Sequence, residues 1–352
     1  MNLSWSRREP MATRNFVGLD VGTRFIKAIQ LTENNGKYSV TDYACHEIGP
    51  ELSPADAVAE LFAKKKFKTK RVATSVSGRF VFVRYINMPV MTDEELVNAA
   101  KYELGKYIPV EVDEVLHDSQ KLEELPVSEG HEAEMRVLLV AAKRAFIDDH
   151  VAMLEQCGLQ PAIVDVDSFA LGNAYELGGQ ANPDAVRPGK LVALADIGAT
   201  KTNINIMSDS ISYFTREFYK GGDDITDAVS KKLGMEPKEA EHLKRNPQGQ
   251  EQQVLECVGG AVEDICHDIN ISIDYFENQY DRKVDEIFIA GGAAQTLGLD
   301  EILEKTIQKK VWKWNPAQYM EVKMEDDAKE ELERHAFSSA IALGLASRIR
   351  KD

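Results

Sequence analysis

Cysteine is scarce in this chain, and long apolar runs are missing from it. The 352 residues include four cysteines, Cys45, Cys157, Cys257 and Cys266. None belongs to a CxxC pair or a His/Cys ligand cluster, which argues against a disulfide framework and a sulfur-bound metal and for reduced, buried thiols in a cytosolic protein. The longest apolar stretch, VLLVAA at 137–142, is far short of the roughly 20 residues that span a bilayer. The opening MNLSWSRREPMATRN lacks an apolar h-region, so no signal peptide is expected, and translation from Met11 is as acceptable as from Met1. Positive charge is also in deficit. With 42 Lys and Arg against 58 Asp and Glu, the formal net charge is −16, which would repel a phosphate backbone and excludes a nucleic-acid binder.

What remains is ordinary globular material, 43% hydrophobic and 28% charged, in a chain long enough for two lobes with separate cores. The pattern predicts an α/β protein. Strands are expected at 16–20, 24–31 and 37–43, then a helix opened by Ser53 and Pro54, then strands through RVATSVSG and FVFVRYINM. A capping box of Thr92 and Glu95 starts a helix that runs to about Tyr107. A central strand at 134–143, a helix at 145–157, a short strand AIVDVD and the helix SFALGNAYEL follow. The Gly- and Pro-rich segment 178–190 reads as a linker. Beyond it the pattern restarts with strands at 191–196 and 201–207, a third through SISYFTREFY, long helices at 222–245 and 250–279, a strand VDEIFIAGG, and helices near 296–309 and 329–349.

Both halves therefore open with strand, polar turn, strand, turn, strand and helix. The turn in FVGLDVGTRFIKAI holds Asp20 and Gly22, and the turn in ALADIGATKTNINI, 176 residues later, holds Asp196 and Gly198. One Asp-x-Gly hairpin is explained by turn geometry alone. Two, at matching places in duplicated halves, suggest a phosphate clamp, because glycine lets phosphate approach backbone N–H groups. Thr23, Thr200 and Thr202 would add hydroxyls, and Asp20 and Asp196 would hold a water-ligated Mg²⁺ between themselves and the phosphates. The glycine pairs Gly221–Gly222 and Gly291–Gly292 suit contacts with the nucleoside.

These motifs resemble the actin/Hsp70/sugar-kinase superfamily and, within it, the PilM family of actin-like type IV pilus assembly proteins. LDVGTRFIKAIQL resembles the first phosphate loop of that family, VDVDSFALGNAYE its connecting helix, ADIGATKTNINI its second phosphate loop, FTREFYKGGDDIT the segment after it, and IFIAGGAAQTLGL its adenosine loop. MPVMTDEELVNAAKYELGKYIPVEVDEV resembles the extra subdomain shared with FtsA. The resemblance implies a duplicated, ribonuclease H-like two-lobe fold. It implies a flexible tail at 1–15, a first lobe at 16–177 with the extra subdomain at about 86–163, and a second lobe at 191–352.

It further implies a cytoplasmic protein that binds ATP or ADP with Mg and hydrolyses ATP slowly at most. Such a protein sits at the inner face of the cytoplasmic membrane by binding the N-terminal cytoplasmic peptide of a PilN-like protein, and a homodimer is compatible with it. Carried over, Asp20, Gly22, Thr23, Arg24 and Lys27 belong to the first phosphate loop, Asp196, Gly198, Thr200, Thr202 and Asn203 to the second, and Gly221, Gly222, Gly291 and Gly292 to the nucleoside side. For the peptide groove, YINMP and KYIPV single out Tyr85, Ile86, Met88, Tyr107 and Ile108.

One departure stands out. Small serines usually follow the first glycine, whereas Arg24 and Phe25 occupy those places here; Arg24 could pair with a phosphate and Phe25 point into the core. No clear catalytic base emerges. Asp167 and Glu176 bracket the connecting helix, where a water-orienting residue would stand, but Asp167 before Ser168 equally suits an N-cap region.

Other features have plainer readings. KKKFKTKR at 64–71 could face anionic lipid, yet reads as a solvated helix end leading to a strand. Trp312 and Trp314 read as edge-strand packing. A sugar-type kinase of the same superfamily would need a polar sugar pocket that the inserted segment does not resemble. An FtsA-like filament former would end in an amphipathic membrane helix, for which ALGLASRIRKD is short.

Overall fold

In the computed structural model of the protein, residues 14–49, 51–126 and 132–348 are described. The tail expected at 1–15, including Met11, lies outside them up to residue 13, and its last two residues already belong to the first strand. The chain runs β1 (Arg14–Val21), β2 (Phe25–Asn34), β3 (Lys37–Glu47), α1 (Pro54–Lys64), β4 (Arg71–Val76), β5 (Val81–Pro89), α2 (Asp93–Leu104), β6 (Val115–Glu124), β7 (Glu134–Lys143), α3 (Arg144–Gln156), β8 (Gln160–Val166) and α4 (Asp167–Ala181). It continues β9 (Leu191–Ile197), β10 (Thr202–Ser208), β11 (Ile211–Phe218), α5 (Gly222–Leu233), α6 (Pro237–Arg245), α7 (Glu251–Tyr280), β12 (Glu286–Ala290), α8 (Leu299–Ile307), β13 (Lys310–Lys313), β14 (Glu321–Val322), α9 (Asp326–Arg334) and α10 (Ala340–Ala346).

The duplication appears in the topology. One sheet has the order β14-β3-β2-β1-β4-β8 and another β11-β10-β9-β12-β13. Setting aside the two-residue β14, each is an antiparallel three-strand meander followed by two parallel strands. Parallel additions need helical crossovers, which α1 and α8, among others, supply. β1 and β9 are central and covered on both faces, which is why they read as near-continuous apolar runs ending in an aspartate.

The helices do not stay with the lobe their place in the chain suggests. α4 buries Leu171, Ala174 and Tyr175 against Val192, Leu194 and Phe288 of the second sheet. α10 and the segment before it bury Ala317, Met320, Leu332 and Leu343 against Ile29, Leu31, Val40 and Tyr43 of the first sheet. α4 and α10 cross at Gly344, where a Cβ would stand 1.8 Å from the Ala170 carbonyl oxygen. Only glycine allows that approach. The expected linker is less free than its composition suggested: α4 continues to Ala181, and Arg187 is held by the Tyr175 hydroxyl at 2.8 Å and by Glu286 at 3.0 Å.

A third sheet, β5-β7-β6, carries α2 on one face and is inserted between β4 and α3. Thr92 and Glu95 form the expected capping box at the start of α2. β8 belongs to the first sheet, so the inserted sheet ends at Lys143, short of the expected 163. β6 was not foreseen; its polar VLHDSQKLEE alternates weakly because it is an edge strand. The expected helix 222–245 is two helices, broken where Gly234 adopts φ 65° and Pro237 starts the next. The last helix is likewise broken, into α9 and α10. The basic run 64–71 joins the end of α1 to β4, with Lys70 over the Phe62 ring, and Trp312 lies on the edge strand β13.

The third sheet also touches the second lobe. Tyr85 Oη lies 2.8 Å from Ser212 Oγ, Tyr213 Oη donates to Glu123 at 3.3 Å, and the Arg136 guanidinium sits over the rings of Tyr213 and Tyr280. Contrary to expectation, Tyr85 is therefore committed to this joint. Period-2 alternation turns Ile86 and Met88 under α2, where they share a core with Ile108. Of the five residues expected to line a peptide groove, Tyr107 alone is exposed, at 40%.

Candidate functional site

A cleft of about 760 Å³ opens between the lobes, floored by the two polar turns. They are built alike. In each, a central strand carries a buried aspartate one residue before its end and a glycine N–H closes the turn, Gly22 on the Phe25 carbonyl at 3.2 Å and Gly198 on the Lys201 carbonyl at 2.9 Å. The tips meet across the cleft, with Thr23 Oγ1 and Thr200 Oγ1 3.3 Å apart.

The hairpins differ one step further in. Register sets Lys27 opposite Asp20, and Asn203 opposite Asp196. Lys27 Nζ donates to Asp20 at 2.5 Å; burial pulls this ammonium down, but Asp20 outweighs it and holds it above its usual value. Asp196 has no such partner among the described residues. Burial pushes its carboxyl up, Lys27 offsets part of this, and Asp20 and Asp167 add to the rise, which reaches about 6. The Asn203 amide nitrogen is also buried and unpaired. A buried amide left without a partner, next to a carboxyl raised by burial and lining a cleft, marks a place built for a ligand.

Beside the second turn, Lys201 Nζ donates to Asp167 at 2.8 Å, to Glu217 at 3.1 Å and to the Ser77 hydroxyl. Burial raises the Asp167 carboxyl, yet Lys201 and the serines outweigh it and hold it below its usual value. Asp167 is the first residue of α4, and its side chain caps nothing. Glu176 is not among the residues lining the cleft.

At the other end the wall is Phe25, Glu241, Lys244, Arg245 and His335. Phe25 does not enter the core: its ring lies 5.4 Å from that of His335, under the Arg245 guanidinium. Lys244 is buried and binds Glu241 at 2.6 Å, Thr226 at 2.7 Å and the Gly222 carbonyl at 2.9 Å. Burial works to raise the Glu241 carboxyl, but Lys244 prevails and leaves it near 2. Arg24 spans the cleft to Asp223 at 2.9 Å and Glu241 at 3.0 Å, so it is engaged with the opposite lobe.

Of the residues expected at the phosphates and nucleoside, Asp20, Gly22, Thr23, Arg24, Lys27, Asp196, Gly198, Thr200, Asn203, Gly222 and Gly292 line this one cleft. Three do not. Thr202 is fully buried, its hydroxyl on the Lys220 carbonyl at 2.8 Å. Gly221 precedes α5, whose first N–H groups, from Gly222 and Asp223, are taken by the turn carbonyls of Gly198 and Ala199. Gly291 holds φ 92° where a Cβ would stand 2.2 Å from the Ile197 carbonyl oxygen, so it shapes the wall from behind.

Several lining residues were not foreseen. Lys201 lies inside the motif GATKTN, and its charge was the available signal. Glu241, Lys244 and Arg245 form an acid followed by bases at i+3 and i+4, which reads as a solvated helix face until Lys244 proves buried.

Two lobes of one duplicated topology, closing on paired Asp-x-Gly turns, define an actin-like protein. The sequence matches the family described as type IV pilus assembly protein PilM over residues 18–350, and the chain belongs to that family. A solved PilM–PilN type IV pilus biogenesis complex includes a chain 23% identical, with a TM-score of 0.80, covering 96% of this chain and 99% of that one. The ethanolamine utilization protein EutJ from Carboxydothermus hydrogenoformans is 15% identical with a TM-score of 0.55, covering 96% of this chain and 91% of EutJ. The cell division protein FtsA of Streptococcus pneumoniae serotype 2 (strain D39 / NCTC 7466) is 24% identical over 261 residues, 66% of this chain. The match spans 55% of the length of FtsA.

Proposed function

We propose that this chain is a nucleotide-binding adaptor of type IV pilus assembly, taking ATP or ADP with Mg in the inter-lobe cleft. The observation that carries this reading is the pair of facing turns, with the buried Asp196 carboxyl, raised by burial, and the unpaired Asn203 amide nitrogen in the cleft beside them. The phosphates would lie between Thr23 and Thr200, reached by the turn N–H groups. The nucleoside would lie toward Phe25, His335 and the Glu241–Lys244–Arg245 face.

The charges around the turns favour a divalent ion. Beside the turns Lys27 and Lys201 face Asp20, Asp167, Asp196 and Glu217, and Arg24 is committed to Asp223 and Glu241, so the carboxylates next to the phosphates suit a divalent ion. Arg79, Lys244, Arg245 and Arg334 also line the cleft. No three His, Cys, Asp or Glu side chains among the described residues come close enough to hold an ion alone. Asp20 and Asp196 suit a Mg²⁺ that keeps its waters and is shared with the phosphates. When bound, Mg²⁺ would neutralise phosphate charge. Asp196 would hold it through water, and Lys27 would keep Asp20 oriented.

Asp196→Ala should abolish Mg-dependent ATP binding measured by calorimetry, as EDTA should in the unsubstituted protein. Unchanged affinity would refute the metal role of Asp196.

The partner in this reading is the N-terminal cytoplasmic segment of a PilN-like membrane protein. Among the described residues no helix is long and apolar enough to cross a membrane, and the partner would bring the chain to the cytoplasmic membrane. A synthetic peptide of that segment should be retained by the immobilised protein; failure to retain it would sink the adaptor reading. The sugar-kinase alternative is not favoured by the family match.

A further inference from the structure

The Lys201 side chain joins both lobes at a carboxylate that lines the cleft, Asp167. It leaves the second turn and reaches Asp167, at the start of α4, and Ser77, just after β4, while also holding Glu217 on β11. The Lys201 side chain is about one-fifth exposed, and those of Asp167 and Glu217 less than that. Asp167 is further hydrogen-bonded by Ser75 and Ser77. Its oxygens thus accept from one cation and two hydroxyls, three donors for about four lone-pair sites, and it lines the cleft.

A general base must offer a free lone pair to the proton it takes, within hydrogen-bond reach of the attacking water. Asp167 lines the same cleft as the two turns and is joined to the second of them through Lys201, at 2.8 Å. The far end of a phosphate chain held between Thr23 and Thr200 would arrive there.

We infer that Lys201 is a positioning residue that disarms Asp167, tying this carboxylate to Glu217 and keeping the cleft a binding site in place of a hydrolytic one. The inference rests on the nucleotide reading above. Released from Lys201, Asp167 takes the proton of a water molecule as the water oxygen bonds to the terminal phosphorus. The bridging P–O bond breaks, leaving nucleoside diphosphate and inorganic phosphate. With Lys201 in place, the ammonium takes one lone pair and its charge favours the ionised carboxylate, which weakens Asp167 as a proton acceptor.

The test measures phosphate release from MgATP in single turnover, alongside calorimetric ATP affinity, for the unsubstituted protein, Lys201→Met, Lys201→Arg and the double variant Asp167→Asn/Lys201→Met. Lys201→Met should hydrolyse ATP faster by on the order of a hundredfold, the range one general base contributes. Lys201→Arg should move the rate back toward that of the unsubstituted protein, and the double variant should lose the gain. A Lys201→Met rate at or below the original, with ATP still bound, overturns the inference. So does a double variant as fast as Lys201→Met, because the base is then another group. Should Lys201→Met not fold, Lys201→Gln, which keeps a donor for Ser77, gives the same comparison. Absence of ATP binding in the unsubstituted protein would remove the nucleotide reading itself, in a measurement that involves no variant.

Discussion

Asp20 and Asp196 stand next to last in equivalent strands, and the residue opposite each decides its chemistry. Lys27 neutralises one; Asn203 leaves the other to the low dielectric of the cleft, where burial moves its carboxyl to about 6. His335 shifts for the same leading reason, with the opposite sign. Burial, helped by Lys27 and nearby arginines, lowers its imidazole from the usual 6.5 to about 4. The unfolded state then binds more protons than the folded state between these values, so the contribution of His335 to stability falls as pH drops from 6.5 toward 4. Between pH 7 and 5 that loss is at most about 2 kcal/mol. His335→Gln should lose correspondingly less stability over this interval than the unsubstituted protein, read from urea midpoints at the two pH values; parallel losses would show that His335 does not titrate this way. The paired aspartates and their glycines were legible because a turn writes its requirements into adjacent residues. His335, Glu241 and Lys244 were not, because their partners are distant in sequence and only the fold tells a buried charge from a solvated one.

The hairpins and parallel strands were legible at the scale of elements, since apolar runs ending in Asp or Gly carry their own boundaries. β6 was hidden because an exposed edge strand has little alternation to display. The swapped seats of α4 and α10 were hidden for a different reason: an apolar helix face says that it is covered, never by what. Their crossing gives a sharp prediction. At Gly344 a Cβ would meet the Ala170 carbonyl oxygen at 1.8 Å, a backbone atom that cannot rotate away. Gly344→Leu should destabilise the protein by about 3 kcal/mol or more, through overpacking. A urea midpoint within error of the original would mean that the two helices separate freely.

For the whole molecule, the inserted sheet is joined to the second lobe directly as well as through the first. Arg136 lies over Tyr213 and Tyr280 and binds Glu123 at 2.9 Å, and Glu123 in turn accepts from Tyr213. Arg136→Ala should loosen this joint, and amide exchange in β7 and at the end of α7 should quicken on the order of tenfold. Equal exchange in both proteins would show that the joint carries no stability. The first sheet has a comparable dependence on distant sequence, because Ala317, Met320, Leu332 and Leu343 cover Ile29, Leu31, Val40 and Tyr43. A ribosome makes these covering residues long after the strands that they cover. During synthesis, therefore, the earliest strands wait with one apolar face bare, and the first lobe cannot close until the segment through α10 has emerged. An N-terminal half of this protein, expressed alone, is an unfinished object that invites aggregation or a chaperone.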